Sequence, residues 1–324
     1  MRTGSEGEDR PVLLALRALK LGDLLVAVPA LRGLRRAFPD HRLVLATSGW
    51  LAPIVRLVGG IDELMAVHGL DDPLPVPPGL VDVAVNLHGN GPESRGRLEA
   101  LVPRRRMGHL APGWEGPPWL DDIHERERWA RLVRWHGVPA DASDLQLLPP
   151  GLPSPAEGAV VVHVGAFYGA RHWPEERFAR VVAALRAQGR RVVLSGGAED
   201  RARAELVAAA AGLPAEENLA GQLPLEGFAA LIAAAAAVIS VDTGAAHLAS
   251  AYRRPSVVLF GPAAPEHWGP PSEGPHIVLT DAARRRGEVF AAEPDPALLA
   301  VQPEDVLEAF ATLPPPGPAS VPAP

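Results

Sequence analysis

The stretch AVISVDTGAAHLASAYRRPSVVLF, residues 237–260, decides the fold. It contains two short apolar runs, at 237–241 and 256–260, separated by a helical segment at 244–252 whose side chains are mostly small. Continuous apolar strands joined by a helix are typical of a parallel sheet that is covered on both faces. The stretch therefore predicts one β-α-β unit of a larger α/β domain.

The same alternation of apolar runs and helical segments extends through both halves of the chain. In the first half we predict strands at 12–16, 42–46 and 81–86, with helices at about 24–37 and 50–57. In the second half, before the opening stretch, we predict strands at 159–164 and 191–195 and helices at 175–188, 200–211 and 225–236. Two α/β halves of similar size are the expected organisation.

A proline-rich stretch, LLPPGLPSPAE at 147–157, lies between the two halves. Proline interrupts helices and is excluded from central strands. We therefore predict one domain at 1–150 and a second at 151–312. The tail at 313–324 has too few large apolar residues to pack and is predicted to be disordered.

Composition excludes several classes of protein. The 31 basic and 38 acidic residues give a net charge of −7, which argues against general nucleic-acid binding. With no cysteine, the chain has no disulfide, Cys-ligated zinc or thiol nucleophile. The acidic N-terminus does not resemble a signal peptide, and no apolar run approaches the ~18 residues of a membrane span. We predict a soluble, cytoplasmic protein, with peripheral membrane contact left open.

In open parallel sheets, ligands bind beyond the carboxyl ends of the strands, so the residues after each strand are examined first. In LKLGDLL, Gly22 allows a tight turn and Asp23 is predicted to cap the following helix. An aspartate at a helix N-cap is common, and capping alone explains it. In the second half, Arg171 precedes a helix start, HWPEE. Its position is equally compatible with binding a phosphate and with a purely structural role.

Two further segments follow strands in the second half. Gly196 and Gly197 form only a weak signal, because neither the dinucleotide fingerprint nor the P-loop spacing is complete. Asp242, Thr243 and Gly244 occupy a predicted helix N-terminus, where unpaired amides favour an anion, and a carboxylate could accept hydrogen bonds from sugar hydroxyls. His247 lies one helical turn after Gly244. A lone histidine in a helix more often has a structural role than a role in binding, although the small residues around His247 would let a bound molecule approach closely.

Four segments together resemble glycosyltransferase family 9, the ADP-heptose heptosyltransferases of lipopolysaccharide core synthesis. They are LGDLLVAVPALRGLRRAFPDHRLVLAT, VDVAVNLHGN, HWPEERFARVVAAL and VDTGAAHLASAYRRPSVVLFGP, the last followed by WGP. The likeness extends from about residue 12 to 270. It implies a GT-B fold, in which two Rossmann-like domains with parallel sheets face a central cleft, the first taking the acceptor and the second the nucleotide-sugar donor.

The resemblance also implies roles for individual residues. Asp23 matches the proposed general base of a metal-independent, inverting transfer that needs no cofactor and no metal site. Gly22 and His88 fall on the acceptor-side loops. The residues implied in donor binding are Arg171, Glu199, Leu223, Asp242, Thr243, Gly244 and His247. The chain departs from the family pattern at Arg171, where a lysine is usual, and at Ala166 and Phe167, where a Ser/Thr pair is frequent.

The predicted function is therefore transfer of a sugar, with heptose favoured, from an ADP-sugar to a glycolipid or glycan. Two alternatives stay open: a nucleotide-sugar-binding protein without transferase activity, and a transferase that uses a different nucleotide sugar on a small-molecule acceptor. Retention of Asp23 with Arg171 favours an enzyme. The predicted partners are the donor and the acceptor, and no nucleic acid.

Overall fold

The computed structural model describes residues 10–317. The chain divides into two compact α/β units between Leu145 and Gln146, just before the proline-rich stretch. Each unit contains one five-stranded sheet in which the strand pairs are parallel. The prediction of two Rossmann-like domains with parallel sheets is confirmed for each unit by itself.

The first unit is built around β1, whose residues Leu13, Leu14, Ala15 and Leu16 are fully buried. The strands are β1 (Val12–Leu16), β2 (Arg42–Thr47), β3 (Glu63–Ala66), β4 (Val81–Asn86) and β5 (Arg105–Met107), in the spatial order β3-β2-β1-β4-β5. The helices are α1 (Leu21–Ala37), α2 (Ala52–Val58), α3 (Pro92–Glu99) and α4 (Glu125–Trp135). Such burial explains why β1 reads as one continuous apolar run.

The second unit repeats this design. Its strands are β6 (Val160–His163), β7 (Val192–Ser195), β8 (Ala237–Val241), β9 (Ser256–Leu259) and β10 (His276–Leu279), in the spatial order β10-β9-β8-β6-β7. Its helices are α5 (Glu175–Ala187), α6 (Arg201–Ala211), α7 (Leu225–Ala233), α8 (Gly244–Ala251), α9 (Pro265–Trp268), α10 (Pro296–Ala300) and α11 (Pro303–Thr312). A core of aliphatic side chains, with Trp173 and Phe178, packs between sheet and helices.

Strand order locates one ligand-binding position in each sheet. In the first sheet, the chain leaves β1 toward β2 on one side and later places β4 on the other. In the second sheet, β7 and β8 flank β6 in the same way. Open α/β sheets bind ligands at such reversals, beyond the carboxyl ends of the strands. The ends of β1 and β4, and those of β6 and β8, are therefore the positions to examine.

The start of the first helix differs from the prediction. We expected the helix to begin at about residue 24 with Asp23 as its N-cap, but α1 begins at Leu21 and its N-cap is Lys20. Asp23 is the third helical residue, and its carboxylate accepts a hydrogen bond from the backbone N–H of Lys20. The acidic side chain therefore caps the helix from within its first turn, as glutamate does in a capping box.

The sequence did not predict the edge strands β3, β5 and β10. Each has only three or four residues, and none of the residues of β10 is fully buried. β7 also lies at an edge, but its four residues are buried and form an apolar run, and it was predicted at 191–195. Periodicity alone therefore finds the buried strands and misses the short, partly exposed ones.

The predicted tail begins where α11 ends. Leu313 packs against the core of the second unit, and Arg254 donates a hydrogen bond to the carbonyl of Gly317, at 3.2 Å. The rest of the tail predicted to be disordered, 318–324, lies outside the described residues. Among residues 10–317, the helices are all too short or too polar to cross a bilayer.

Gly169 allows two loops of the second unit to approach closely. A Cβ at this position would lie 1.7 Å from the carbonyl oxygen of Ala292. We expect Gly169→Ala to lower the free energy of unfolding by about 1–3 kcal/mol, because backbone atoms must move to admit the methyl group. Gly96→Ala is the matched control, since a Cβ at Gly96 in α3 meets nothing within 4 Å. Chemical denaturation of both variants checks this, and equal stability of the two would contradict it.

Candidate active site

The end of β1 carries an arginine–aspartate pair. Arg17 is the first residue after β1, and its Nη2 atom lies 3.7 Å from Oδ1 of Asp23 in the first turn of α1. The Arg17 side chain is only 1% exposed, whereas that of Asp23 is 25% exposed. Gly22 precedes Asp23 in the same turn and is half-buried. The pair therefore presents its carboxylate, and not its guanidinium, to solvent.

His88 follows β4 and lies beside this pair. Its Nδ1 accepts a hydrogen bond from the backbone N–H of Ala18, at 3.2 Å. Burial, helped by the positive charge of Arg17, lowers the pKa of His88 to about 4. With Nδ1 occupied as an acceptor, the neutral ring carries its proton on Nε2. At neutral pH His88 can donate a hydrogen bond but is poorly suited to accept a proton.

Sequence reasoning missed Arg17 as a site residue. Its guanidinium donates to the backbone carbonyls of Leu87 and Asp23, and it lies over the ring of Trp129, 4.5 Å from the centroid. Burial lowers its pKa, an effect that the charges of Asp23 and Glu125 oppose. The available signal was an arginine placed directly after a central apolar strand, where a cation must have a specific partner.

The second unit contains a second arginine–aspartate pair, at the ends of β6 and β8. Arg171 lies in a 3-10 turn, Gly169–Arg171, in the loop after β6, and Asp242 directly follows β8. The Arg171 Nε atom is 3.5 Å from Oδ2 of Asp242. Here the exposure is reversed, since the arginine side chain is 25% exposed and the aspartate 6%. This pair therefore presents a guanidinium, the group that suits a phosphate.

The N-terminus of α8 lies next to this pair. Thr243 is the N-cap of α8, but its hydroxyl donates to the carbonyl of Val241, at 3.4 Å, and forms no cap hydrogen bond. Gly244 begins the helix, and the His247 ring, one turn later, packs edge-on against Trp268 at 6.3 Å. The structure thus brings Asp242, Thr243 and Gly244 together with Arg171, and it shows that His247 has an aromatic neighbour.

Glu199 and Leu223 lie in loops beyond β7. The Glu199 carboxylate is exposed and folds back on Gly197, where a Cβ would come within 2.6 Å of it. Leu223 is half-buried and directly precedes Pro224, the N-cap of α7. Their contribution to binding of a nucleoside stays a prediction.

Asp200 is a buried carboxylate that sequence reasoning did not single out. It accepts hydrogen bonds from the backbone N–H groups of Gly197, at 2.7 Å, and Ala166, and burial raises its pKa. A Cβ at Gly165 would lie 2.2 Å from its Oδ2 atom, and one at Gly196 would lie 2.8 Å from its Cβ. The glycines therefore make room for Asp200, which ties the loop after β6 to the loop after β7.

No cofactor was predicted for the chain. Within residues 10–317, no three His, Asp or Glu side chains are grouped closely enough to ligate a metal ion.

Three histidines, of which His109 is buried and His88 and His163 are half-buried, make stability depend on pH. Burial lowers the pKa of His88, His109 and His163 to about 4, from about 6.5 in the unfolded chain. Below pH 6.5 the unfolded state binds more protons, so the stabilisation is complete above pH 6.5 and is lost as the pH falls toward 4. Each histidine adds a slope of up to about 1.4 kcal/mol per pH unit in this window.

We therefore expect the free energy of unfolding to fall as the pH is lowered from 6.5 to 4.5. His163→Gln removes one titrating group and is expected to reduce the slope of this free energy against pH by up to about 1.4 kcal/mol per pH unit. Urea denaturation at several pH values measures both quantities. A slope that is unchanged in His163→Gln would show that this ring titrates alike in the folded and unfolded chain.

Comparisons with known proteins bear on the whole chain. A family model described as glycosyltransferase family 9 (heptosyltransferase) matches residues 141–288. Lipopolysaccharide heptosyltransferase 2 of Escherichia coli K12 is 25% identical over 89% of this chain and 94% of that protein. The solved structure of Escherichia coli ADP-heptose lipopolysaccharide heptosyltransferase II superposes with a TM-score of 0.73 at 22% identity, covering 93% of this chain and 97% of that one. An Escherichia coli heptosyltransferase solved with ADP gives a TM-score of 0.70 at 20% identity, covering 92% and 98%.

These matches confirm the resemblance that the sequence motifs indicated and the GT-B fold class. The family model matches residues 141–288, and over most of its length the chain is similar to lipopolysaccharide heptosyltransferase 2. The family model contains Arg171 and the opening stretch at 237–260, so both donor-side signals lie within the matched region.

Proposed function

Starting from these similarities, we propose that the chain transfers a heptose from ADP-heptose to a lipopolysaccharide core or a related glycolipid. The observation that carries the proposal is the Arg171–Asp242 pair at the ends of β6 and β8, which exposes a guanidinium beside the N-terminus of α8. A diphosphate is the ligand that this arrangement suits, because the guanidinium and the helix amides all attract negative charge.

Each donor-side residue then has a chemical task. Arg171 binds the diphosphate, and the amides at Thr243 and Gly244 contribute further donors at the N-terminus of α8. Asp242, which would repel a phosphate, accepts hydrogen bonds from hydroxyls of the sugar. His247 lies one turn along α8 and can contact the same sugar or phosphate. Glu199 and Leu223 are assigned to the nucleoside.

The acceptor side supplies the base. Asp23 removes the proton from an acceptor hydroxyl as that oxygen attacks the anomeric carbon of the heptose, and the bond from this carbon to the diphosphate breaks. ADP leaves with both electrons of that bond, and Arg171 stabilises its growing negative charge, a role that a metal ion fills in other transferases. Attack opposite to the leaving group inverts the anomeric centre.

Electrostatics favour Asp23 over His88 as the base. The pKa of His88 is about 4 and its Nδ1 is already bonded to Ala18, so at neutral pH the ring can only donate, from Nε2. A donor next to the carboxylate suits orientation of the acceptor hydroxyl. A cytoplasmic location and peripheral contact with a membrane, both compatible with a glycolipid acceptor, are retained as predictions.

The donor assignment predicts a loss of nucleotide affinity when the guanidinium is removed. We expect Arg171→Ala to weaken ADP binding roughly 10- to 150-fold, because a hydrogen bond to a charged group contributes about 1.5–3 kcal/mol. Isothermal titration calorimetry with ADP measures the effect. Arg180→Ala is the matched control, since Arg180 is an exposed arginine of the same unit that pairs with Glu304.

Calorimetry with UDP, GDP and dTDP separates the remaining alternatives. Preference for one of these over ADP would support a transferase with a different nucleotide sugar. ADP binding by Arg171→Ala as tight as that of the unsubstituted chain would remove Arg171 from the site. Tight ADP binding without any transfer to heptose-deficient lipopolysaccharide would favour a nucleotide-sugar-binding protein.

The base assignment predicts a separation of catalysis from binding. We expect Asp23→Asn to lower the transfer rate by about 100-fold or more, the usual contribution of a general base, and to leave ADP affinity within a few-fold. Release of ADP from ADP-heptose in the presence of heptose-deficient lipopolysaccharide gives the rate. Full turnover by Asp23→Asn would show that another group, or water, takes the proton.

A further inference from the structure

Arg17 is the most completely buried cation near the candidate site. Its side chain is 1% exposed, so its charge is almost wholly removed from water. Desolvation of an ion costs several kcal/mol, and a buried arginine therefore persists only where its donors and charge have partners. The partners here are two backbone carbonyls, the face of Trp129 and the carboxylate of Asp23.

We infer that Arg17 is a positioning residue for Asp23, holding the carboxylate in one orientation for the transfer reaction. The inference rests on the proposed function, in which Asp23 is the base. Arg17 itself is shielded from solvent and does not contact the reacting atoms; it acts through Asp23.

The two residues are joined at more than one point. Arg17 Nε donates to the backbone carbonyl of Asp23, which fixes the first turn of α1 against the end of β1. Asp23 Oδ2 accepts the backbone N–H of Lys20, at 3.2 Å, while Oδ1 faces Arg17. The carboxylate is thus restrained at both oxygens, while its side chain stays 25% exposed.

The spacing of the ion pair suits a base. At 3.7 Å, Arg17 Nη2 attracts the Oδ1 atom but is too far away for a normal hydrogen bond. A shorter contact would occupy the lone pair that an acceptor hydroxyl needs. Because Nε and Nη1 are already used by Asp23 and Leu87 carbonyls, the guanidinium supplies charge without competing for that lone pair.

Trp129 fixes the guanidinium from the other side. It is a buried residue of α4, and the guanidinium carbon of Arg17 lies 4.5 Å from its ring centroid. The ring packs edge-on against His109, at 5.8 Å, which holds the indole in place. The planar guanidinium can stack on the ring face and donate to two carbonyls at the same time. A lysine ammonium would supply the same charge but not this geometry.

Steady-state kinetics of Arg17→Met and Arg17→Lys test the inference. We expect Arg17→Met to lower kcat by about 10- to 100-fold, as misplacement of a reacting group does, with KM for ADP-heptose and Kd for ADP within about threefold. Arg17→Lys restores the charge without the planar geometry and is expected to recover at least about fivefold of that loss. A purely structural role would lower the amount of folded enzyme and leave kcat per folded molecule unchanged.

Arg32→Met is the matched control. Arg32 is another largely buried arginine of the first unit, with a side chain that is 12% exposed, and it pairs with Asp144 at 2.6 Å and donates to the carbonyl of Val58. Its loss is expected to reduce the melting temperature while kcat stays within about threefold, because neither partner belongs to the site. An equal fall in kcat for Arg32→Met and Arg17→Met would overturn the inference.

Crystal structures provide a readout that does not need turnover. In Arg17→Met we expect the Asp23 carboxylate to move by more than about 0.5 Å or to adopt several rotamers, and in Arg17→Lys to stay within that tolerance. Arg17→Gln replaces Arg17→Met if the latter does not fold. An Asp23 carboxylate that keeps its position in the uncharged variant would overturn the inference. Absence of transfer by the unsubstituted chain would instead refute the proposed function.

Discussion

Two arginine–aspartate pairs, one at the reversal point of each parallel sheet, determine the chemistry that each unit can perform. In the first unit the arginine is buried and the aspartate exposed, and in the second the exposure is reversed. A carboxylate that faces solvent can take a proton, and a guanidinium that faces solvent can bind a phosphate. In the proposed function the same pair of side chains serves as a base in one unit and as an anion site in the other, and the difference lies in which partner the fold buries.

One residue of each pair is buried, Arg17 in the first unit and Asp242 in the second. Burying a charge has an electrostatic cost, which the surrounding loops must offset. In the first unit, carbonyls and an indole ring surround Arg17. In the second unit, the loop that carries Arg171 is joined by backbone hydrogen bonds to the segment near residue 291 and by Asp200 to the loop after β7. These supports fix the positions of the exposed partners, which is the requirement for a preorganised site.

Much of this arrangement was predictable from the sequence. The central strands have continuous apolar runs, so the position of Asp242 directly after β8 could be predicted by pattern alone, whereas the donor role of Arg171 came from the family resemblance. The pattern could not show that Arg17 turns inward, because this depends on contacts with residues distant in the chain, such as Leu87 and Trp129. The short edge strands β3, β5 and β10 were missed because they are only partly buried, whereas the edge strand β7, which is buried throughout, was predicted.

Departures from the family pattern have a physical explanation in the second unit. Where the family frequently has a Ser/Thr pair, this chain has Ala166 and Phe167, and the backbone N–H of Ala166 is bonded to Asp200. In the proposed function the positive potential for a diphosphate then comes from Arg171 and the N-terminus of α8. Arginine suits this task, because its planar group can stay near Asp242 through Nε while its terminal nitrogens bind phosphate oxygens, whereas a lysine ammonium has one nitrogen for both partners.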